Sequence, residues 1–413
     1  MDIDAIEKWR KQVTRNLYEN IIPFWMTYSI DRRNGGFYGR ISNDLQVDQT
    51  APRSVVLIAR ILWTFAALFR FDKDTRHLEI AHRAFNYLTR YFSDGKYGGV
   101  YWLVAPGGEV LEYKKKIYGQ AFAIYGLSEY YAASGEKSAL EMANQIFQLI
   151  EKYCHDAING GYYEATNRDW SETQDLRLSA VDLNEKKSMN SHLHLLEALT
   201  NLQRVNSDSL VRARLQELVE CHLKYILNPV SNHLYLFFDE KWNPRLDAIS
   251  FGHDIEASWL ISEAADVLGD DKIQSQVKSA TNKMVAAVVA EGLNQYNALP
   301  VDKDLTDNLD SNRFEWWQQA EAVVGLINAY QISGDSSYLD RACRLWDFID
   351  KYFVDWQYGE WYYEVSAEGI PNPDKPKVSE WKCCYHNTRA CLEVLKRTAQ
   401  LINQEENRYA ETK

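Results

Sequence analysis

Three histidines stand inside apolar runs of helical spacing, each beside another group that can carry charge. His194 precedes Glu197 in KSMNSHLHLLEALTNL, His253 precedes Glu256 in ISFGHDIEASWL, and His386 precedes Arg389 in EWKCCYHNTRACLEVL. Imidazole titrates near neutrality, so such a group can take a proton and return it. Each residue of a helix turns about 100°, so His192 and His194 face nearly opposite ways, while Asn190, His194 and Glu197 share one face. His192 therefore reads as a packing residue, and His194 as the one that looks into a site. Arg60 is the single charge within SVVLIARILWTF. Charges in such surroundings are costly unless paired or solvated, which leaves a structural ion pair and a functional group as the two readings of each. His77, His82, His155, His222 and His233 lie in no comparable context and read as surface or loop groups.

A metal site is the other chemistry these residues could serve. His253 and Glu256 make half of one, but no second His/Glu motif completes it, and HLH lacks the i, i+4 spacing of zinc helices. Cys383, Cys384 and His386 resemble the zinc ligands of lanthionine cyclases, yet no motif surrounds a third, distant cysteine. No metal is expected.

The elements that would position these groups repeat along the chain. NGGFYGR at Asn34, YGGVYW at Tyr97, NGGYYEA at Asn159 and YGEWYYEV at Tyr358 are variants of one Gly-aromatic turn, with weaker versions at Asn232 and Glu291. The interval is roughly 60 to 70 residues, which predicts six units. Between the turns the apolar spacing is helical and predicts twelve helices, near 4–27, 53–71, 74–92, 115–134, 137–154, 187–204, 208–227, 252–268, 271–290, 314–332, 337–353 and 380–403. The near-copies SGEK, LGDD and SGDS punctuate them into hairpins. Six hairpins in series predict an all-α (α/α)6 barrel occupying 1–413 as one domain, with the second helix of each pair on the inside. An open solenoid is the alternative, but long aromatic loops at one end favour a closed ring with a pocket. The polar and aromatic groups at the inner-helix starts would converge there: Arg60; Tyr118 and Phe122; Asn190 and His194; His253 and Glu256; Trp316, Trp317 and Glu321; Trp381, His386 and Arg389.

Taken together, SVVLIARILWTF, LRLSAVDLNEKKSMNSHLHLLEALTNL, FGHDIEASWLI, EWWQQAEAVVG and EWKCCYHNTRACLEV resemble the cellobiose 2-epimerases of the N-acylglucosamine 2-epimerase superfamily. The long loop before Met189 resembles the disaccharide enzymes more than the monosaccharide ones; Cys383–Cys384 and Ser191 are small departures. The resemblance implies inversion of C2 in the reducing-end aldose of a β-1,4-linked disaccharide (cellobiose, lactose or mannobiose), without a cofactor. It assigns His253 and His386 to proton transfer at C2, His194 to ring opening and Arg60 to the enediolate. It further implies that Tyr118, Phe122, Asp182, Asn190, Glu256, Trp316, Trp317, Glu321, Trp381 and Arg389 bind or enclose the sugars.

Composition narrows the alternatives. A net charge of −12 argues against nucleic acid and anionic membranes, which need basic patches. No apolar run reaches membrane-spanning length, the N-terminus reads as a mature helix, and the scattered cysteines read as reduced thiols, so a monomeric cytoplasmic enzyme is expected. Aromatic residues make up 13% of the chain, which suits a ring-packed core and sugar stacking equally. A monosaccharide aldose–ketose isomerase of the same superfamily, a glycoside hydrolase on the same barrel and a non-catalytic sugar binder remain as other readings. A hydrolase would need a carboxylate pair, for which Glu256 and Glu321 could be proposed.

Overall fold

The computed structural model describes residues 3–246, 248–301 and 313–411. Its helices are α1 (Ile3–Asn16) and α2 (Ile22–Thr27), joined through a π-turn at Leu17–Ile21, then α3 (Val55–Asp72), α4 (Thr75–Tyr87), α5 (Ile117–Ser134), α6 (Lys137–Tyr153), α7 (Met189–Val205), α8 (Ser209–Cys221), α9 (Phe251–Leu268), α10 (Asp271–Glu291), α11 (Trp316–Ser333), α12 (Ser336–Tyr352) and α13 (Tyr385–Glu411). Helices α3, α5, α7, α9, α11 and α13 each touch the next, and α13 returns to α3. The ring is closed, and the solenoid alternative falls.

Burial separates the two layers. Every residue of α5 from Ile117 to Tyr130 is buried, whereas α6 buries Ala139, Ala143, Ile146, Phe147 and Ile150, a single stripe at helical spacing. Helix α5, fourth in the expected series and second of its pair, is an inner one covered on all sides; α6 packs one face on the ring. Inner helices α3, α5, α9 and α11 stop at a left-handed residue, Lys73, Gly135, Gly269 or Gly334, and the outer helix follows at once from an acidic cap, Asp74, Glu136, Asp270 or Asp335. These short turns close one end of the barrel.

The other end is built from long connections stitched to one another. Arg53–Ser54 pairs antiparallel with Leu103–Val104, Lys115–Lys116 with Ala165–Thr166, Lys187–Ser188 with Phe237–Phe238, and Arg313–Glu315 with Glu364–Ser366. A bridge between Ile41 and Val378 joins the first connection to the last. Two-residue strands therefore replace the first residues of the expected helices at 53, 115 and 187. The cause is a buried basic side chain that the loops capture: Arg53 pairs with Asp31 at 2.5 Å, Lys115 with Asp94 at 3.0 Å and Lys187 with Asp156 at 2.9 Å. In the same way α13 begins at Tyr385 and not near 380, because Ser379 Oγ accepts the Trp381 and Lys382 amides and Lys382 is drawn 2.9 Å from buried Glu360.

One slot recurs at the fourth residue of the inner helices. Gln120 accepts the Val100 amide at 2.9 Å and donates to the Val100 carbonyl at 2.8 Å; Gln319 does the same with Leu299 at 2.9 and 2.7 Å. His192 fills that slot in α7, its Nε2 accepting the Tyr162 amide at 2.9 Å and its Nδ1 donating to the Ser188 carbonyl at 2.6 Å. Gly161, in the adjoining turn, has φ +74°, and a Cβ there would stand 2.7 Å from His192 Nε2. The glycine of the NGGYYEA turn is needed for that close approach.

Candidate active site

Short inner-helix starts and long loops meet in a cavity of about 330 Å³ at the stitched end, within the usual size range of a ligand pocket. Its wall includes Arg60, Tyr118, Asp182, Asn190, His194, His253, Glu256, Trp316, Trp317, Trp381 and His386, so most of the residues singled out above are brought together. Leu178–Val181 and Tyr363, from the loops, complete it; they lie within the quoted LRLSAVDLNEKKSMN and YGEWYYEV stretches but are not among the residues expected in the site.

Three expected sugar contacts lie elsewhere. Phe122 does not line the cavity; its ring sits 4.3 Å from the Arg60 guanidinium and 4.9 Å from the His194 ring, where it holds both from beneath. Glu321 and Arg389 are buried below the floor. Arg389 Nη1 meets Glu197, and its Nη2 lies 2.8 Å from Glu256 and 2.7 Å from Glu321. Tyr385 OH also donates to Glu197. Glu197, on the His194 face, and Tyr385 are buried members of the site that the site assignment omitted. The assignment of His77 and His222 to surface or loop is corrected as well: both are buried in helical segments, His222 against the Leu218 carbonyl at 2.7 Å, while His233 lies in a loop but is buried against Asp254 at 2.7 Å.

Each cavity imidazole has its Nδ1 engaged. His194 Nδ1 is 2.9 Å from Glu197, His386 Nδ1 is 2.6 Å from Glu321, and His253 Nδ1 is 2.6 Å from Ser250 Oγ. A carboxylate only accepts, so His194 and His386 carry the proton on Nδ1 and leave Nε2 bare. Burial holds His194 below the usual imidazole range despite Glu197, and holds His386 well below it with help from Arg60 and Arg389. Burial and the neighbouring His194 push His253 down to about 3. All three are neutral bases at pH 7.

The carboxylates divide the remaining charge. Burial opposes ionisation of Glu197, but Arg389, His194 and Tyr385 outweigh it and pull that group down to about 2. Glu256 is raised well above the normal range by burial and by the charge of Glu321. Glu321 is also raised by burial, but His386, Arg389 and Trp259 Nε1 (3.0 Å) all donate to it. Of this pair Glu256 takes a proton more readily, because three donors hold Glu321 and only Arg389 reaches Glu256. Glu256, Glu321 and His386 bring ligand atoms within 4.8 Å of one another, as a metal site would. Arg389 Nη2 already bonds both facing carboxylate oxygens and serves as their cation. Arg60 Nη2 donates to Tyr118 OH at 2.9 Å and Nη1 to the Trp381 carbonyl at 3.0 Å. Arg60 Nε and Asn190 Oδ1 are buried without a partner among the described residues, one donor and one acceptor left for a polar ligand.

Comparison with known proteins adds the following. The model of the N-acylglucosamine 2-epimerase (GlcNAc 2-epimerase) family matches residues 36–390. The chain is 42% identical over 386 residues to a cellobiose 2-epimerase of Bacteroides fragilis, spanning 94% of this chain and 98% of that one. It is 40% identical over 387 residues to one from Ruminococcus albus, with the same coverage of 94% and 98%. The solved cellobiose 2-epimerase from Bacillus thermoamylovorans B4167 superimposes with a TM-score of 0.90 at 34% identity, covering 95% of this chain and 100% of that one.

Proposed function

The chain belongs to the N-acylglucosamine 2-epimerase family, and from that premise we propose that it inverts C2 of the reducing-end aldose of a β-1,4-linked disaccharide, as in cellobiose to glucosyl-mannose. The observation that carries this reading is the set of three neutral imidazoles around one cavity, each held by Nδ1.

The chemistry needs several proton carriers. The C2 hydrogen of a closed pyranose is not acidic, so the ring must first open to an aldehyde. His194 moves the proton between the C1 hydroxyl and the ring oxygen, with Glu197 steadying the transient imidazolium. Removal of the C2 proton gives a cis-enediolate, whose charge the Arg60 guanidinium stabilises in a site with little water. Inversion returns a proton to the opposite face. His253 and His386, from α9 and α13, stand as the two bases, one taking and the other giving in each direction. Asn190 and Arg60 Nε bind hydroxyls, and Trp381 and Trp317 enclose the sugar faces.

The test is incubation with cellobiose in D2O, followed by sugar chromatography and NMR. Expected is glucosyl-mannose carrying deuterium at C2. Release of glucose would make the protein a hydrolase, and accumulation of glucosyl-fructose as the main product would make it an aldose–ketose isomerase.

A further inference from the structure

The three imidazoles differ in what stands behind them. Glu197 and Glu321 can only accept a hydrogen bond, so the tautomers of His194 and His386 are locked. His253 is backed by a hydroxyl, Ser250 Oγ at 2.6 Å, which can accept from Nδ1–H or donate to bare Nδ1. Ser250 and His253 also form part of the wall of a second chamber of about 290 Å³, beneath the arm that carries Leu178 and Asp182. That volume has room for several waters. Its largely apolar wall is broken by Arg177, Asp182 and Ser188, by Asn190, whose Oδ1 has no partner among the described residues, and by Glu164, a buried carboxyl that accepts the Ser188 amide at 2.7 Å and the Ser191 hydroxyl at 2.6 Å.

We propose that Ser250 is a positioning residue that lets His253 act as a neutral, tautomer-switching base, by relaying the Nδ1 proton into the second chamber while Nε2 exchanges a proton with C2. The inference rests on the reading of His253 as one of the two C2 bases. In the abstraction step the C2–H bond breaks, its electron pair enters the enediolate and the proton bonds to Nε2. At the same time the Nδ1 proton passes to Ser250 Oγ, whose own proton leaves to chamber water and the Glu164 carboxylate. In the return step Nε2–H protonates C2, Ser250 donates to Nδ1, and chamber water restores Ser250. The ring is uncharged before and after each transfer. Burial that disfavours the His253 imidazolium fits such a route, and so does the burial that lifts Glu164 to about 7, where it can hold or release a proton near neutrality. His386 works differently: Glu321 stabilises it as an imidazolium.

Ser250 is also the N-cap of α9, accepting the His253 amide at 3.4 Å, so cap and relay must be separated. Asparagine caps as well as serine but cannot take one proton and release another, whereas threonine keeps the hydroxyl. In single-turnover epimerisation of cellobiose, Ser250→Asn should lower the rate about tenfold or more with little change in KM, and Ser250→Thr should stay near wild type. In mixtures of H2O and D2O, the wild-type rate should fall along a curve, as for two protons in flight, and the Ser250→Asn rate along a straight line. A linear wild-type dependence, or a wild-type rate in Ser250→Asn, overturns the relay whatever the stability of the variants. If His253→Ala still epimerises, the assignment of His253 as a base falls instead.

Discussion

His386 and Glu321 come from different inner helices, 65 residues apart, and stand 2.6 Å from each other, Nδ1 to Oε1. The same oxygen accepts Arg389 Nη2 at 2.7 Å, and the other accepts Trp259 Nε1 at 3.0 Å. Glu321 thus fixes which nitrogen of His386 faces the sugar and holds the negative charge that an imidazolium needs.

Glu321→Gln should therefore leave the barrel folded and damage turnover. An amide can present its N–H2 to His386 Nδ1, forcing the proton to Nε2 and removing the base. A fall in kcat of about 10²- to 10⁴-fold is expected, with KM changed far less, by steady-state kinetics on cellobiose. A kcat within a factor of about three of wild type would show that the contact is only structural.

His253→Ala and His386→Ala should each abolish epimerisation, because one face of the enediolate loses its proton partner. Each variant keeps one base, so in D2O each should exchange the C2 proton of one epimer without inverting it, cellobiose in one case and glucosyl-mannose in the other. NMR of recovered sugar reads this. Interconversion at near wild-type rate by either variant would mean that one base serves both faces.

The Trp381 ring is half-buried on the cavity wall, 5.9 Å from Trp102 and 6.0 Å from Tyr118, while its carbonyl holds Arg60. Trp381→Ala keeps that carbonyl and removes only the ring. Stacking and burial of an indole contribute a few kcal/mol, so kcat/KM on cellobiose should fall roughly ten- to thousandfold. Residual action on free mannose should suffer much less; an unchanged cellobiose rate would make the ring core packing.

His192→Gln should leave activity intact, because glutamine already fills the equivalent slot at Gln120 and Gln319. Burial pushes folded His192 down to about 3, below the value of about 6.5 expected for the unfolded chain. Between those limits the unfolded state binds a proton that the folded state refuses, so stability is present above pH 6.5 and lost as the pH falls. The loss from pH 7 to 5 should be smaller in the variant by about 2 kcal/mol, measured by denaturant unfolding. An equal loss in both proteins would show that His192 does not titrate on unfolding.

The architecture is legible in the chain because the Gly-aromatic turns and the apolar spacing repeat, and each repeat must bury the same faces. The strands at 53, 115 and 187 are not, since Arg53, Lys115 and Lys187 look like ordinary helix-compatible residues until Asp31, Asp94 and Asp156 reach them from another unit. His194, His253, His386 and Arg60 stand out as charges in apolar runs. Glu321 and Arg389 stand out for the same reason, and Phe122 as an aromatic one turn beyond Tyr118, but local sequence cannot tell the wall of a cavity from the layer beneath it. Glu197 was within reach, three residues beyond His194 on its face, and Ser250 was signalled only as a helix cap. The Leu178–Val181 segment has no periodicity to read.

Arg389 has one further consequence. The positive charge that gathers Glu256 and Glu321 is part of the polypeptide, so it is delivered with synthesis and has no dissociation equilibrium. Such a site cannot be emptied by scarcity of an ion, poisoned by a tighter-binding competitor or altered by the oxidation state of its surroundings. Epimerisation should accordingly proceed at the same rate after exhaustive dialysis against a chelator, and a loss restored by a divalent ion would mean that the guanidinium shares its place. A catalyst built this way draws nothing from its environment except the sugar and water.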